Sequence, residues 1–173
     1  MKKIINYSIF VAFILGVIFS FVYPFDISNY NFLINIFSFK AFLYIFALAI
    51  LFIILPFFSM NFSLIFLIFE SFSFGYIIIL FLKNFGYKGI IFILLFTLIF
   101  KLINYFILYL LSFYSFKLIK HIYLNIFSKY RRNINNLHLY MKKIALMSII
   151  FFVFNIALLL CSNFIIPYLK NLL

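Results

Sequence analysis

The sequence predicts an all-α integral membrane protein, a polytopic bundle of about five transmembrane helices with its amino terminus inside and its carboxyl terminus outside. Of its 173 residues, 69% are hydrophobic and only 9% are charged, and the mean hydropathy is +1.31. The apolar residues lie in long runs that short polar segments separate. A soluble domain of this size could not bury so much apolar surface, so the excess requires lipid as its solvent. We expect residues 1–173 to form a single transmembrane domain in the cell membrane.

The first apolar run has the basic start and apolar body of a signal peptide, but it ends in Val22-Tyr23-Pro24 without a small-x-small cleavage site. We therefore expect an uncleaved helix, followed by four more. Pro56 marks the end of the second span or a kink in it, and Pro167 stops the fifth. The second and third spans have a short uncharged connection, and a re-entrant pair is the alternative for them. The predicted spans are about 5–23, 39–55, 62–82, 90–116 and 144–166.

The basic residues determine the predicted orientation, because segments on the cytoplasmic side of a membrane carry an excess of Lys and Arg. The formal net charge is +12. The basic residues lie between apolar spans, so we interpret them as contacts to anionic lipid and predict no nucleic-acid binding. The inner segments hold Lys2, Lys3, Lys117, Lys120, Lys129, Arg131, Arg132, Lys142 and Lys143, and the outer ones hold Lys40, Lys83, Lys88 and Lys170.

The one substantial polar region, residues 117–143, is expected to be a basic cytoplasmic loop. Within it, Leu118, Ile122 and Ile126 recur every four positions among basic residues. This pattern predicts an amphipathic helix that lies on anionic headgroups and is followed by a loop. A solvated linker between helices is the alternative. Membrane lipid is therefore an expected partner.

Catalytic and metal-binding patterns are nearly absent. His121 and His138 lie 17 residues apart without a nearby acidic or cysteine partner, which matches no zinc motif. Cys161 is the single cysteine, cannot form an intramolecular disulfide, and is interpreted as a small buried residue. There is no Gly-x-Ser-x-Gly, glycine-rich phosphate loop or Walker sequence. We predict no enzyme activity, no catalytic residues, no metal site and no cofactor.

Small residues recur every four positions in the first span. That spacing places them on one face of a helix, where a second backbone could approach closely. Chance placement on a lipid-facing helix is the alternative. The stripe consists of Ser8, Ala12, Gly16 and Ser20.

Glu70, one of only two acidic residues, lies inside an apolar run. An ionised side chain at mid-helix costs roughly 2.5–3.5 kcal/mol to insert into a bilayer, so it needs a partner, a proton or water. Glu70 precedes Lys83 by 13 residues, and Lys101 follows Lys88 by 13. If the two outer lysines mark one surface, Glu70 and Lys101 both lie about 20 Å from it along antiparallel helices. We predict an ion pair; a protonated Glu70 and an ion pathway are the alternatives.

Residues 72–96 carry a glycine-punctuated motif, FSFGYIIILFLKNFGYKGIIFILLF. Its defining positions are Phe72, Ser73, Gly75, Leu82, Phe85, Gly86, Lys88 and Gly89. They resemble the turn between the middle spans of the stage II sporulation protein M family, of which this chain is expected to be a divergent member. The closing segment is similar to the end of that family at Ile165, Pro167, Tyr168 and Leu169. The chain departs from the family pattern at Glu70 and near Ser162, where an acidic residue is common. It also departs in the middle of the fourth span, where the family usually has a proline and an asparagine and this chain has Lys101 and Asn104 without a proline.

The resemblance implies a non-catalytic membrane scaffold. Members of that family belong to the engulfment machinery and recruit peptidoglycan-degrading partners, the stage II sporulation D and P proteins, for septal wall remodelling and forespore engulfment. Other membrane proteins are therefore expected partners of this chain. The alternative function is a permease subunit of an exporter driven by a separate ATPase, in which Glu70, Lys101 and Asn104 would line a polar path.

Overall fold

The computed structural model describes residues 2–23, 39–92, 98–127 and 134–170, which are almost entirely helical. All five of its helical segments are long and apolar enough to cross a membrane. The prediction of an all-helical chain with five such segments is therefore confirmed. The helices are α1 (Lys2–Val22), α2 (Phe39–Ile54), α3 (Phe62–Phe92), α4 (Ile99–Phe127) and α5 (Ile134–Lys170).

A short 3₁₀ turn, Leu55–Phe58, joins α2 to α3. Pro56 lies in its first turn, where the missing N–H is not needed, and Ser59 closes it with a left-handed φ of 60°. Asn61 then caps α3, since its Oδ1 accepts a hydrogen bond of 3.2 Å from the Leu64 N–H. Pro56 thus accompanies the end of α2, as the sequence predicts.

The helices pack in a consistent up-and-down order. α3 and α4 are antiparallel, because Glu70 meets Lys101 while Asn61 donates to the Ser112 carbonyl at 3.0 Å. In each pair, the two residues lie nearly the same number of positions before and after Gly86, as expected when the chain folds back near that residue. α1 runs parallel to α3 and contacts it closely, whereas α5 packs between α2 and α4. The end of the bundle that holds the α2–α3 turn, the end of α4 and the start of α5 is called the basic end below.

The core lies mainly between α2, α3, α4 and α5, and the fully buried Ile5 of α1 also belongs to it. Phe52 of α2 and Phe151 of α5 are almost fully buried and meet edge-to-face, with 5.1 Å between ring centroids. Around them lie Ile45, Leu48, Leu67, Ile107, Leu108, Leu111, Leu118 and Ile144. Large apolar side chains are also exposed on the outer faces of all five helices, among them Phe10, Leu43, Phe69, Phe106 and Val153.

The boundary between the third and fourth spans differs from the prediction. α3 does not end at residue 82; it remains helical to Phe92 with a break at Gly86, where φ is 55° and ψ is −130°. Only glycine readily adopts this backbone conformation. Lys83 lies within the helix, and its ammonium reaches across to α1. α4 begins at Ile99 and not at residue 90, and residues 93–97 lie outside the described part.

The basic region is also different from the prediction of an interfacial helix and loop. Residues 117–127 continue α4, and residues 134–143 begin α5. Leu118 is fully buried, and Ile122 packs against the same core. Leu118 and Ile122 of the apolar stripe therefore pack in the core of the bundle, and the side chain of Ile126 lies outside the described residues. His121 and Tyr140 bring the two extensions together, with their ring centroids 5.2 Å apart. Lys129, Arg131 and Arg132 lie outside the described residues.

Two expectations for α5 are wrong. Its helix runs past Pro167 to Lys170; because this proline lies in the last helical turn, it removes only one hydrogen bond near the end of the helix. Cys161 is exposed on the outer face of α5 and not buried. In a chain with excess apolar surface, a small apolar side chain need not point into the core.

Candidate functional site

An ion pair joins the first half of α3 to the start of α4. The Lys101 ammonium donates to Glu70 Oε2. Both side chains are largely enclosed, with 17% of the Glu70 and 25% of the Lys101 side chain exposed. Glu70 lies about 13 Å along α3 from Asn61 and about 24 Å from Gly86. The structure thus brings together Glu70 and Lys101, which the equal 13-residue spacings to Lys83 and Lys88 predicted to be partners.

The tyrosine one turn beyond Lys101 adds a second link between α3 and α4. The Tyr105 hydroxyl donates to the Glu70 backbone carbonyl at 2.8 Å, and its ring meets Phe74 edge-to-face at 5.9 Å. The carbonyl of Glu70 already serves the helix, so this is an additional bond that uses its second lone pair. The pair is therefore held in register by the backbone as well as by its charges.

A pair of asparagines extends the polar contacts to α5. Asn104, which is 7% exposed, accepts a 3.3 Å hydrogen bond at Oδ1 from Asn155 Nδ2. The same Nδ2 donates to the Phe151 carbonyl at 2.8 Å. We call the five residues Glu70, Lys101, Asn104, Tyr105 and Asn155 the polar layer. It links α3, α4 and α5 through groups that satisfy one another, as polar groups in apolar surroundings require.

The polar layer carries no net charge when Glu70 and Lys101 are both ionised. Two amides, a phenol and a neutralised ion pair favour specific helix registration. The described residues contain no group of three or more His, Cys, Asp or Glu side chains that could hold a metal ion. His121 lies against Tyr140, whereas His138 lines a separate pocket at the basic end.

The small-residue stripe of α1 faces α3. Ala12, Gly16 and Ser20 are buried, and Ser8 is half-buried. A Cβ added to Gly16 would overlap the Phe72 carbonyl oxygen and lie 3.1 Å from the Tyr76 nitrogen. The two backbones are in direct contact there, as small residues at helix interfaces allow.

Gly75 makes the reciprocal contact from α3. A Cβ on Gly75 would overlap the Phe13 carbonyl oxygen and lie 3.2 Å from the Val17 nitrogen. Each helix therefore supplies one glycine against the backbone of the other. We call Gly16 and Gly75 the glycine contact. Because backbone atoms form both walls, a rotamer change cannot relieve a larger side chain here.

Two side chains of α3 cap the carboxyl end of α1. Lys83 Nζ donates to the Ser20 carbonyl at 3.1 Å and lies 4.3 Å from the centroid of the Phe21 ring. The Tyr76 hydroxyl donates to the Tyr23 carbonyl at 3.2 Å. The last carbonyls of a helix lack partners within the helix, and a cation there also complements the helix dipole. α1 is thus fixed to α3 at its middle and at its end.

The remaining residues of the turn motif lie apart from the polar layer. The Ser73 hydroxyl donates to the Phe69 carbonyl of its own helix at 3.0 Å. Gly86 forms the break in α3, with Lys88 exposed and Gly89 in the helical stretch that follows the break. The motif therefore combines one packing position, Gly75, with one turning position, Gly86.

Sequence reasoning missed Asn155 and Asn61. Asn155 is a lone amide in the apolar run FFVFNIALLL, which is the same kind of signal that singled out Glu70. Asn61 directly precedes an apolar run, a pattern typical of a helix N-cap; in the structure it also reaches the Ser112 carbonyl of α4. No sequence signal identified which helix each amide would contact.

Comparisons with known protein families, with curated proteins and with solved structures find no match to this chain. The resemblance to the stage II sporulation protein M family therefore rests on the motif residues themselves.

Proposed function

We propose that the chain is a multi-pass protein of the cell membrane, with its amino terminus inside and its carboxyl terminus outside. The support is the exposed apolar surface on every helix, since side chains such as Phe10, Phe69 and Phe106 are each more than half exposed. Lipid would cover these faces. The basic end, which carries Lys117, Lys120, Lys142 and Lys143, would then lie on the cytoplasmic side.

We further propose that the protein is a non-catalytic scaffold of the stage II sporulation protein M type, which recruits peptidoglycan-degrading partners for septal wall remodelling and forespore engulfment. The observation that carries this proposal is Gly75: a position of the turn motif is also the position where α3 touches the backbone of α1. A motif residue with a packing role suits a protein that acts by presenting fixed surfaces. The partners by resemblance are stage II sporulation D and P proteins.

The scaffold proposal is tested in a strain of the source organism that lacks the gene. Membrane-dye microscopy during sporulation should show arrested engulfment, and the intact chain should restore it. Gly75→Leu, which breaks the glycine contact, should fail to restore it. Phe69→Leu, an exposed change on the same helix, serves as the matched control and should succeed. Normal engulfment in the deletion strain contradicts the proposal.

A permease subunit of an ATPase-driven exporter is the second candidate, and the polar layer favours it. Glu70 meets Lys101 between α3 and α4, and Asn104, one turn from Lys101, meets Asn155 of α5. Polar residues within membrane helices often mark transport paths. In this reading the basic end would contact the ATPase.

The neutral double variant Glu70→Gln/Lys101→Gln separates the two candidates. It removes both charges without leaving one of them unpaired, so the bundle should still assemble. A scaffold should keep its engulfment activity in this variant. A permease should lose substrate export, and the chain should co-purify with an ATPase. Retained assembly with lost activity would favour transport over the scaffold.

A further inference from the structure

A pocket of about 270 Å³ opens at the basic end between α2, α4 and α5. It is open on one side and mostly apolar. Its walls come from Ile53, Phe57, Leu118, Met141, Ile144 and Ala145, and its polar groups are His138 and Lys142. Both of these polar side chains are exposed. The pocket thus combines an apolar wall with a cationic rim.

The positive charge around this pocket has no acidic counterpart nearby. Residues 117–143 contain seven basic residues and no Asp or Glu. Glu70, the one acidic side chain among the described residues, pairs with Lys101 near the other end of α4. An anion that neutralises the rim must therefore come from outside this part of the chain.

The neighbouring lysines are arranged differently from Lys142. Lys117 lies over the Phe113 ring at 4.4 Å, and Lys143 lies over the Tyr114 ring at 5.2 Å. These cations face aromatic rings of α4, which forms a helical hairpin with the antiparallel α5. Lys142 instead lines the pocket together with His138, one turn earlier on α5, and both side chains can donate N–H hydrogen bonds.

We propose that this pocket binds an anionic phospholipid. The phosphate lies at Lys142 and His138, and part of one acyl chain lies against Ile53, Met141 and Ala145. Basic pockets between helices on the cytoplasmic side are suited to anionic headgroups, and the apolar wall adds a contact that a free phosphate ion cannot make. The inference rests on the proposed membrane insertion, and it is independent of the scaffold role.

Native mass spectrometry of the full chain, released from nanodiscs of equimolar phosphatidylglycerol and phosphatidylcholine, tests this proposal. The intact protein should retain phosphatidylglycerol in preference. Lys142→Ala should reduce that retention about fivefold, which is the effect expected of one lysine near an anionic membrane surface. Adding His138→Ala to this variant should reduce retention further. Lys120→Ala is the matched control, because Lys120 is also exposed on the hairpin but does not line the pocket; it should leave retention unchanged.

A second arm separates a lipid from a simple anion. Ala145→Leu fills the pocket without changing its charge, and it should also lower phosphatidylglycerol retention. Inorganic phosphate added in large excess should not displace the lipid. Unchanged retention in both Lys142→Ala and Ala145→Leu overturns the proposal, as does complete displacement by inorganic phosphate.

Membrane fractionation of the same variants distinguishes a failure of membrane insertion from a failure of lipid binding in the pocket. All variants should remain in the membrane fraction, so that a loss of lipid selectivity in an inserted protein reports on the pocket alone. Intact protein that does not enter the membrane fraction contradicts the proposed insertion, and with it the lipid site. Normal engulfment by a strain that lacks the gene contradicts only the scaffold role.

Discussion

At the scale of single residues, the charged and amide side chains of the polar layer pair with one another, whereas the buried hydroxyls of Ser112, Ser115 and Ser148 have no hydrogen-bond partner among the described residues. Glu70 pairs with Lys101, and Asn104 with Asn155. An ionised group in apolar surroundings is costly when it stands alone, and the cost falls when an opposite charge and hydrogen bonds replace water. These side chains therefore specify which faces of α3, α4 and α5 meet.

We expect each single charge reversal, Glu70→Lys or Lys101→Glu, to destabilise the protein by about 3 kcal/mol, because it leaves two like charges together. The double variant restores opposite charges and should recover most of the loss. Membrane accumulation and the melting temperature in detergent measure both effects. Lys88→Glu, a reversal at an exposed lysine, should change neither. A double variant no better than the worse single variant would argue against a stabilising pair.

At the scale of helices, close backbone approach and an extended hairpin organise the bundle. α1 contacts α3 through Gly16 and Gly75, and side chains of α3 cap its carboxyl end. α4 and α5 continue beyond their apolar spans and pack on each other around Leu118 and Tyr140. The α1–α3 contact and the α4–α5 contact both depend on which face each helix turns toward its neighbour.

The glycine contact predicts a graded response to side-chain size. Gly16→Ala should destabilise the bundle by about 1–3 kcal/mol, since the added Cβ overlaps a backbone carbonyl. The gain in helix propensity of at most about 1 kcal/mol does not offset this overlap. Gly16→Leu should be worse. Thermal unfolding in detergent measures the series, with Val11→Leu on the exposed face of α1 as a control. Equal melting temperatures across the series would contradict a tight contact.

The hairpin extension predicts an intolerance of charge at Leu118. An amphipathic helix on lipid headgroups would accept Leu118→Lys readily, whereas a fully buried Leu118 should not. We expect a loss of about 3 kcal/mol or more, from the lost apolar burial and the unpaired charge. Tyr123→Lys, at a position that is 60% exposed on the same extension, should be tolerated. Similar melting temperatures for the two variants would favour the interfacial arrangement.

At the scale of the whole molecule, the helix order places the α2–α3 turn and the break at Gly86 at opposite ends of the bundle. Met60 and Tyr87 are both well exposed and mark these two ends. In the proposed orientation, Met60 lies on the cytoplasmic side and Tyr87 on the outer side.

Cysteine labelling tests this orientation. In a Cys161→Ser background, Tyr87→Cys should react with a membrane-impermeant maleimide in intact cells. Met60→Cys should react only after the cells are permeabilised. Cys161→Ser alone gives the background signal. The reverse pattern would place the amino terminus outside, and labelling of both positions in intact cells would contradict a bundle that crosses the membrane.

The sequence could predict the helices and the Glu70–Lys101 pair because both depend on spacing along the chain. Five apolar runs identify five helices, and equal distances from a turn place two charges at the same height. The sequence could not locate the helix ends. α4 and α5 extend through the polar residues 117–127 and 134–143, because a polar segment can stay helical when a neighbouring helix covers its apolar side.

The sequence by itself therefore determined the helical class and the number of spanning-length segments, and it pointed to Lys101 as the partner of Glu70. Composition and helical periodicity are local properties, so they can be read from the sequence without knowledge of the tertiary structure. Only the tertiary structure decided that Gly16 lies against the Phe72 backbone and Gly75 against the Phe13 backbone. The same holds for the contact of Asn104 with Asn155 and for the burial of Leu118. Each of these contacts depends on the rotation of one helix about its axis relative to another, and that rotation is set by packing across the whole bundle.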